Sequence, residues 1–204
     1  VKGRRLDEVG KTLRKIDPTL RIDAGTRYAV PEAKQGGAPV MELFREGRGL
    51  ATIFLWVVNF MNLLNLYFLS SWLPTIATSA GLSPTTAVMV GTALQAGGVL
   101  GTLLMGPVID RIGFFKVLVP CFALAAVTIA MIGQQGIALA LLFVAVTVTG
   151  FCIIGGQPAV NALAATYYPT ALRSTGVGWS LGIGRWGSIA GPVLGGALIQ
   201  LQWT

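Results

Sequence analysis

The sequence has 204 residues, of which 53% are hydrophobic and only 11% charged, and its mean hydropathy is +0.70. Soluble domains carry about 25% charged residues, so the composition excludes a soluble globular domain and predicts an integral membrane protein in a lipid bilayer. The net charge is +7, and 11 of the 15 Lys and Arg residues lie in residues 1–48. This distribution follows the positive-inside rule, and without an interleaved aromatic and basic patch a nucleic-acid partner is not expected.

The N-terminal region, residues 1–49, is predicted to be a cytoplasmic segment with short amphipathic helices. Residues 24–39 are rich in Gly, Pro and charge, which indicates a linker, and residues 40–48 predict a short helix along the membrane surface. The chain has neither a signal peptide nor an initiator Met, so we expect it to begin partway through a longer protein. An apolar stripe with a spacing of three or four residues predicts a helix that ends at Pro18. The stripe consists of Leu6, Val9, Leu13 and Ile16.

The remainder, residues 50–204, contains five hydrophobic runs, and each is long enough to cross a bilayer, which takes about 20 apolar residues. The first run is expected to end at Pro74, and the fourth to tilt or break at Gly155, Gly156 and Pro158. The predicted spans are about 50–72, 86–108, 114–133, 137–167 and 174–201.

The loops between the spans predict the orientation of the chain. Two loops contain basic residues, 110–116 and 170–173, whereas the loops 74–85 and 134–136 are uncharged. Basic loops alternate with neutral ones, and basic loops face the cytoplasm. Residues 1–49 and the two basic loops are therefore predicted to be cytoplasmic.

The first basic loop carries a motif that begins at Gly106, continues through Asp110 and Arg111, and ends at Gly113. This motif resembles the loop signature of the major facilitator superfamily, although two phenylalanines follow where basic residues are usual. Physically, Asp110 can cap a helix N-terminus or pair with a base, so that the loop latches neighbouring helices. The alternative is an ordinary positive-inside loop.

The superfamily has twelve spans in two six-helix halves. The resemblance therefore implies an all-α polytopic membrane bundle that is half of this twelve-helix fold, with spans seven to eleven present. We then expect six spans before this chain and one after it. The N-terminal half of the same transporter would be a partner.

The last span contains a glycine pattern that also resembles the superfamily. It is formed by Gly178, Gly187, Gly191, Pro192, Gly195 and Gly196. Glycines spaced four apart lie on one row of a helix and allow a second backbone to approach closely. We expect this row to let helices rock against each other. In the superfamily this pattern is best known in the fifth helix of antiporters. Here it lies in the fifth span of the other half, at the equivalent place in the repeat, so it does not by itself predict antiport.

Residues 168–179, followed by Gly184 and Arg185, resemble the aromatic acid:proton symporters, as do residues 42–48. The resemblance implies a small aromatic carboxylate as substrate, a proton as coupling ion, no other cofactor, and a bacterial inner-membrane location. The acidic motif of the first helix in such symporters has no counterpart among these residues. Proton coupling is therefore implied by the resemblance alone.

Arg185 is the main candidate for substrate binding. Twelve residues of helix separate it from Arg173, about 18 Å at 1.5 Å per residue, which is close to the membrane midplane if Arg173 marks one face. A charge at this depth is costly and normally faces a cavity, a partner or a substrate. Arg185 is predicted to hold the substrate carboxylate through two parallel hydrogen bonds. Arg173 and the Asp110 loop are predicted to govern a latch at the inner face.

Amides in two spans complete the predicted cavity, since in lipid each of them needs a polar partner or water. Those of the first span recur every three residues, and those of the fourth are one turn apart. Interhelical hydrogen bonding is an equal alternative to substrate contact. The predicted substrate-binding residues beside Arg185 are Asn59, Asn62, Gln157, Asn161 and Trp186, with Asn65 in the same register as the first two.

The predicted function is proton-coupled uptake of aromatic carboxylates of the benzoate or hydroxybenzoate type, by alternating access. Two alternatives stay open: an exporter of drugs or other organic anions, and a membrane subunit that does not transport. An enzyme is not expected, because residues 50–204 contain one carboxylate and no histidine. Cys121 and Cys152 lie in apolar runs and are predicted to be buried thiols, so no metal site is expected.

Overall fold

The computed structural model describes residues 39–134 and 136–201, together with Leu13 and Lys15. The chain divides into residues 1–35 and residues 36–204. Of the first unit only Leu13 and Lys15 are described, both in helical conformation. The predicted linker up to residue 38 and the rest of the predicted apolar stripe lie outside the described residues.

The second unit is built from helices, and the residues that the structure describes contain no strand. This confirms the prediction of an all-α fold. Four helices, α2 to α5, are long and apolar enough to cross a membrane. The helices are α1 (Pro39–Glu42), α2 (Gly49–Ser79), α3 (Pro84–Ile112), α4 (Phe114–Ile132), α5 (Leu139–Tyr167) and α6 (Thr170–Gln200).

The last helix, α6, is as long as α2, at 31 residues each. It is less apolar than the other four long helices, because it carries Arg173, Arg185 and many glycines. That α6 crosses the membrane therefore stays a prediction. The structure also begins this helix at Thr170, so Arg173 lies within the first turn and not in the predicted loop.

Prolines do not end these helices, contrary to the prediction for Pro74. Helix α2 continues through Pro74 to Ser79, and α5 is unbroken at Pro158. Proline removes one backbone hydrogen bond, but helices in membranes tolerate this loss because packing and local adjustment satisfy the freed group. The ring of Pro74 packs beside Gly91 of α3, where a Cβ atom would lie 3.4 Å from the Pro74 Cγ.

Glycines hold the long helices together in two tight pairs. In the α3–α5 pair, a Cβ on Gly97 would overlap the carbonyl oxygen of Thr147, and a Cβ on Gly155 would lie 2.6 Å from the Cα of Gly101. In the α2–α6 pair, a Cβ on Gly187 would overlap the carbonyl oxygen of Phe60. These are backbone-to-backbone contacts, which only glycine permits.

The predicted row of glycines on α6 is thereby confirmed as a close-packing surface. Gly191 meets the backbone of Leu64, and Gly195 meets the ring of Trp72, about two turns farther along α2. The indole nitrogen of Trp72 also donates a hydrogen bond of 2.9 Å to the carbonyl oxygen of Pro192. This bond ties the two helices together beyond the glycine contacts.

The segment before α2 packs against the bundle. Leu43 is fully buried, and its carbonyl oxygen accepts a 3.0 Å hydrogen bond from the Thr52 hydroxyl. The Tyr168 hydroxyl donates to Thr52 at 3.2 Å. The surface helix predicted over residues 40–48 is thus reduced to the single turn of α1, because Leu43 turns inward and Glu46 and Gly47 adopt left-handed conformations that redirect the chain.

We call the end of the bundle that carries the turns at Gly113 and Pro169 the basic end, and the end with Gly81 and Gly136 the neutral end. An apolar core lies toward each end. Leu69, Leu73, Val90, Leu94, Leu142 and Val146 form the core at the neutral end. Met105, Ile109, Val117, Leu118, Ala159 and Val160 form one at the basic end. Between these cores lies a layer of polar side chains.

Candidate functional site

The polar layer is a hydrogen-bonded network that joins three helices. Asn59 of α2 donates from Nδ2 to the Ser180 hydroxyl of α6 at 2.7 Å. Gln157 of α5 donates from Nε2 to the Asn59 Oδ1 at 3.4 Å. Asn62 donates from Nδ2 to the Gln157 Oε1. We call these four residues the amide network.

Burial explains why the network forms. Asn59 is 0% exposed, Ser180 is 1% and Asn62 is 3%, and buried polar groups in an apolar bundle must find hydrogen-bond partners. The three-residue spacing puts Asn59 and Asn62 on one face of α2. The interhelical alternative for Asn59 is therefore what the structure shows, because both ends of this amide bond to other helices.

Ser180 is the member of the network that the sequence analysis missed. Its signal was its position four residues from both Gly176 and Gly184, which places it on the row of small residues that faces α2. A serine on this row brings a hydroxyl to the contact between α2 and α6. Because serine is common among the small residues of such rows, its presence alone does not mark it as a site residue.

Two amide oxygens beside this network have no hydrogen-bond partner among the described residues, although both are buried. They are Oδ1 of Asn62 and Oδ1 of Asn161. Asn161 lies one turn from Gln157 on α5 and is half-buried. Asn65 is different, since its amide donates to the carbonyl oxygen of Met61 in its own helix at 2.8 Å. Asn65 therefore lies outside the network.

Arg185 lies at the same depth as the amide network. The two glycines that flank it pack on α2: a Cβ on Gly184 would lie 3.6 Å from the Asn59 Cβ, and Gly187 meets Phe60. Arg185 is the sixteenth residue of the 31 in α6, so it is at mid-helix. That this position is the membrane midplane stays a prediction.

Arg185 and Trp186 both lie on the exposed side of α6, turned away from α2. Consecutive residues are about 100° apart around a helix, so the two side chains leave α6 in different directions, and Trp186 is 69% exposed. Within the described residues the Arg185 guanidinium forms no hydrogen bond or salt bridge. The structure therefore brings Asn59, Asn62 and Gln157 together but does not join Arg185 or Trp186 to them.

The side of α6 that carries Arg185 is continuous with its contact to α5. Val177, Leu181 and Arg185 follow one another at intervals of four residues, and Val177 packs on the cluster that contains Ala164 and Tyr168. Residues at this interval lie nearly in line on a helix. Arg185 thus lies on the side of α6 that contacts α5 through Val177, about two turns away along the helix.

Three aromatic rings contact one another on the side of the amide network that faces the basic end. The rings of Trp56 and Trp179 are stacked with centroids 5.9 Å apart, and Phe44 contacts Trp56 edge-on at 5.5 Å. Trp56 lies nearly one turn from Asn59, and Trp179 precedes Ser180. The indole nitrogen of Trp56 is buried without a partner among the described residues.

The motif that ends at Gly113 is helical and not a loop. Helix α3 runs through Asp110 and Arg111 to Ile112, and α4 begins at Phe114. Gly113 alone makes the turn, with a φ of 91°. The capping role considered for Asp110 is wrong, because Asp110 ends a helix and the residue before α4 is Gly113, which offers no side chain. Asp110 also makes no salt bridge within the described residues.

Asp110 instead borders a cavity of about 190 Å³ between α3, α5 and the start of α4. Gly106, Asp110, Phe114 and Pro158 are among its lining residues. A Cβ on Gly106 would meet no atom within 4 Å, so this glycine leaves the cavity open. The motif therefore combines one exposed carboxylate with an open, mostly apolar groove at the basic end.

The chain is similar to transporters of aromatic acids. It is 41% identical over 182 residues to the gallate transporter of Pseudomonas putida, a match that covers 89% of this chain and 40% of the relative. It is 39% identical over 206 residues to the 4-hydroxybenzoate transporter PcaK of the same species, covering 100% of this chain and 46% of the relative. A benzoate transport protein of Acinetobacter baylyi is 34% identical over 168 residues, covering 82% and 36%.

The chain spans less than half the length of these curated relatives. No solved structure matches it. Residues 55–204 match the model of the Major Facilitator Superfamily, which is most of the chain and includes all of the long helices except the start of α2. The chain is thus an integral membrane protein of the Major Facilitator Superfamily.

Proposed function

We propose that the complete protein is a secondary active transporter that takes up small aromatic carboxylates by alternating access. The relatives that support this proposal transport gallate, 4-hydroxybenzoate or benzoate, according to their names. All three substrates are aromatic acids, which carry a carboxylate at neutral pH. The expected substrate is therefore anionic at one end and apolar over the ring.

The observation that carries the proposal is the position of Arg185. It lies at the middle of α6, at the depth of the amide network, and forms no hydrogen bond or salt bridge within the described residues. A guanidinium at this depth costs at least about 2.5–3.5 kcal/mol unless something compensates its charge. A substrate carboxylate would compensate it and would be oriented by two parallel hydrogen bonds.

Alternating access needs parts that move against each other: the two halves of the transporter, with the substrate site between them, and, within this half, the two tight helix pairs. The pairs α2–α6 and α3–α5 each have backbone-to-backbone glycine contacts, so each is suited to move as one body. Gly187, Gly191, Pro192 and Gly195 belong to the first pair. In this proposal Arg173 and the helix end formed by Gly106, Asp110, Arg111 and Gly113 act as a latch at the basic end.

The remaining parts of the transporter would come from sequence beyond residues 1–204. We place the N-terminal half there, with the acidic residues that would couple transport to a proton. Residues 1–49 would lie on the cytoplasmic side of a bacterial inner membrane, following the positive-inside rule. The coupling ion would be the only cofactor.

Uptake by the full-length protein tests this function. Reconstituted in proteoliposomes, it should accumulate radiolabelled benzoate or 4-hydroxybenzoate when a pH gradient, acidic outside, is imposed, and lose the uptake when an ionophore collapses the gradient. Asp110→Asn should lower uptake at unchanged protein content, because it removes the charge of the latch. Absence of gradient-driven uptake of either acid by well-folded protein would overturn the proposal.

A further inference from the structure

We infer that Asn62 and Asn161 determine specificity by recognising a ring hydroxyl of the substrate. This inference rests on the proposed function, since it assigns one end of the same aromatic acid. Arg185 would hold the carboxylate, and the amides would hold a hydroxyl on the ring. The two residues lie on different helices, α2 and α5. Asn62 donates a hydrogen bond to Gln157, and Asn161 lies one helical turn after Gln157 on α5.

The first step concerns two hydrogen-bond acceptors that have no donor among the described residues. Asn62 is 3% exposed, and its Oδ1 has no partner among the described residues; the same holds for the buried Oδ1 of Asn161. A buried acceptor without a partner is costly, and the great majority of such groups are paired. Asn59 shows the contrast, since its Nδ2 and Oδ1 both have partners. Among the buried amide side chains that the structure describes, the acceptors without a partner are therefore those of Asn62 and Asn161.

The second step concerns what can fill these positions. A carboxylate only accepts hydrogen bonds, so it cannot satisfy an amide oxygen. A hydroxyl both donates and accepts, so it can pair with an amide in either orientation of the oxygen and nitrogen. The amides and Arg185 therefore complement opposite ends of one molecule. A phenolic acid has both groups at the edge of a single ring.

The third step concerns access. The glycine contacts lock α2 to α6 and α3 to α5, whereas Gln157 bridges α2 and α5 by side-chain bonds to Asn59 and Asn62. Side-chain bonds separate more readily than interlocked backbones. Separation of the two pairs would part Asn62 from Gln157 and leave the Asn62 Nδ2 without a partner, like its Oδ1. A ring hydroxyl that reached Asn62 would replace the lost bond.

The test compares two ligands that differ by one hydroxyl group. Binding of benzoate and of 4-hydroxybenzoate to the full-length protein in detergent would be measured by calorimetry, with 3-hydroxybenzoate as a second position of the hydroxyl. Asn161→Leu and Asn62→Leu remove the hydrogen-bonding groups at similar volume. Asn65→Leu is the matched control, because the Asn65 amide bonds to its own helix.

We expect the unaltered protein to bind one of the hydroxylated acids about tenfold or more tightly than benzoate, as one well-placed hydrogen bond implies. Asn161→Leu should reduce this preference about tenfold and leave benzoate affinity within about threefold. Asn65→Leu should preserve the preference. Asn62→Leu should act like Asn161→Leu where it folds. Should it not fold, Asn161→Leu decides alone, since Asn161 Oδ1 has no bond to lose.

Equal affinity of the unaltered protein for all three acids would overturn the inference while leaving the proposed function intact. The same holds if Asn161→Leu weakens benzoate and hydroxybenzoate equally, which would indicate a structural role. Failure of the folded protein to bind any of the acids would instead overturn the proposed function. The two failures are thereby distinguished.

Discussion

At the scale of single residues, the polar side chains of the spans divide into two kinds. Asn59 and Ser180 are buried and satisfied by each other, which is the pattern of an interhelical connection. Arg185 lies at the same depth but makes no bond from its side chain within the described residues. Sequence reasoning identified Arg185 because a charge is conspicuous in an apolar run. It could not separate Asn59 from Asn62, because the partner of an amide depends on which helices meet.

The role of Arg185 predicts a graded response to substitution. Arg185→Lys keeps the charge but loses the planar pair of donors, so affinity for benzoate should fall about tenfold or more, and Arg185→Ala should lower it further. Calorimetry at matched folded concentration of the full-length protein measures this. Undiminished affinity in Arg185→Ala would remove the counter-charge role.

At the scale of helices, apolar runs predict where the spans lie but not where the helices end. Hydropathy reports the bilayer core, and helical turns continue beyond it. This is why Pro74 lies inside α2 and why the motif at Asp110 belongs to α3. The glycine row of α6 was predictable, because spacing by four residues is a property of the helix itself. The partner of that row, α2, was not, since it depends on the tertiary arrangement.

The α2–α6 junction predicts opposite outcomes for two glycines of the same helix. Gly187→Ala adds a methyl group against the Phe60 carbonyl and should destabilise the bundle by about 1–3 kcal/mol. Gly178→Ala adds the same group where no atom lies within 4 Å, so stability should stay the same or rise slightly. Thermal unfolding of the purified full-length variants compares them. Equal melting temperatures would contradict the close packing.

At the scale of the whole molecule, the described helices α1 to α6 form a bundle in which Arg185 lies on the exposed side of α6. Its apolar cores lie toward the two ends, and the amide network lies between them, at the level of Arg185. A membrane protein cannot leave a guanidinium against lipid at this depth without a large cost. The side of α6 that carries Arg185 therefore needs substrate, water or further polypeptide next to it. In the proposed transporter, the cavity between two halves supplies this environment.

The exposed guanidinium predicts that one substitution acts in opposite directions in two proteins. Arg185 has no compensating charge among the described residues, so in residues 1–204 expressed alone Arg185→Leu should improve membrane insertion by about 3 kcal/mol on insertion scales. In the full-length protein the same change should abolish uptake of aromatic acids, since it removes the counter-charge. Protease protection and membrane abundance would measure the first effect, and proteoliposome uptake the second. If Arg185→Leu instead lowered the abundance of residues 1–204 expressed alone, then Arg185 would have a stabilising partner within this chain. The guanidinium would then be part of the scaffold, and the carboxylate of the substrate would need another site.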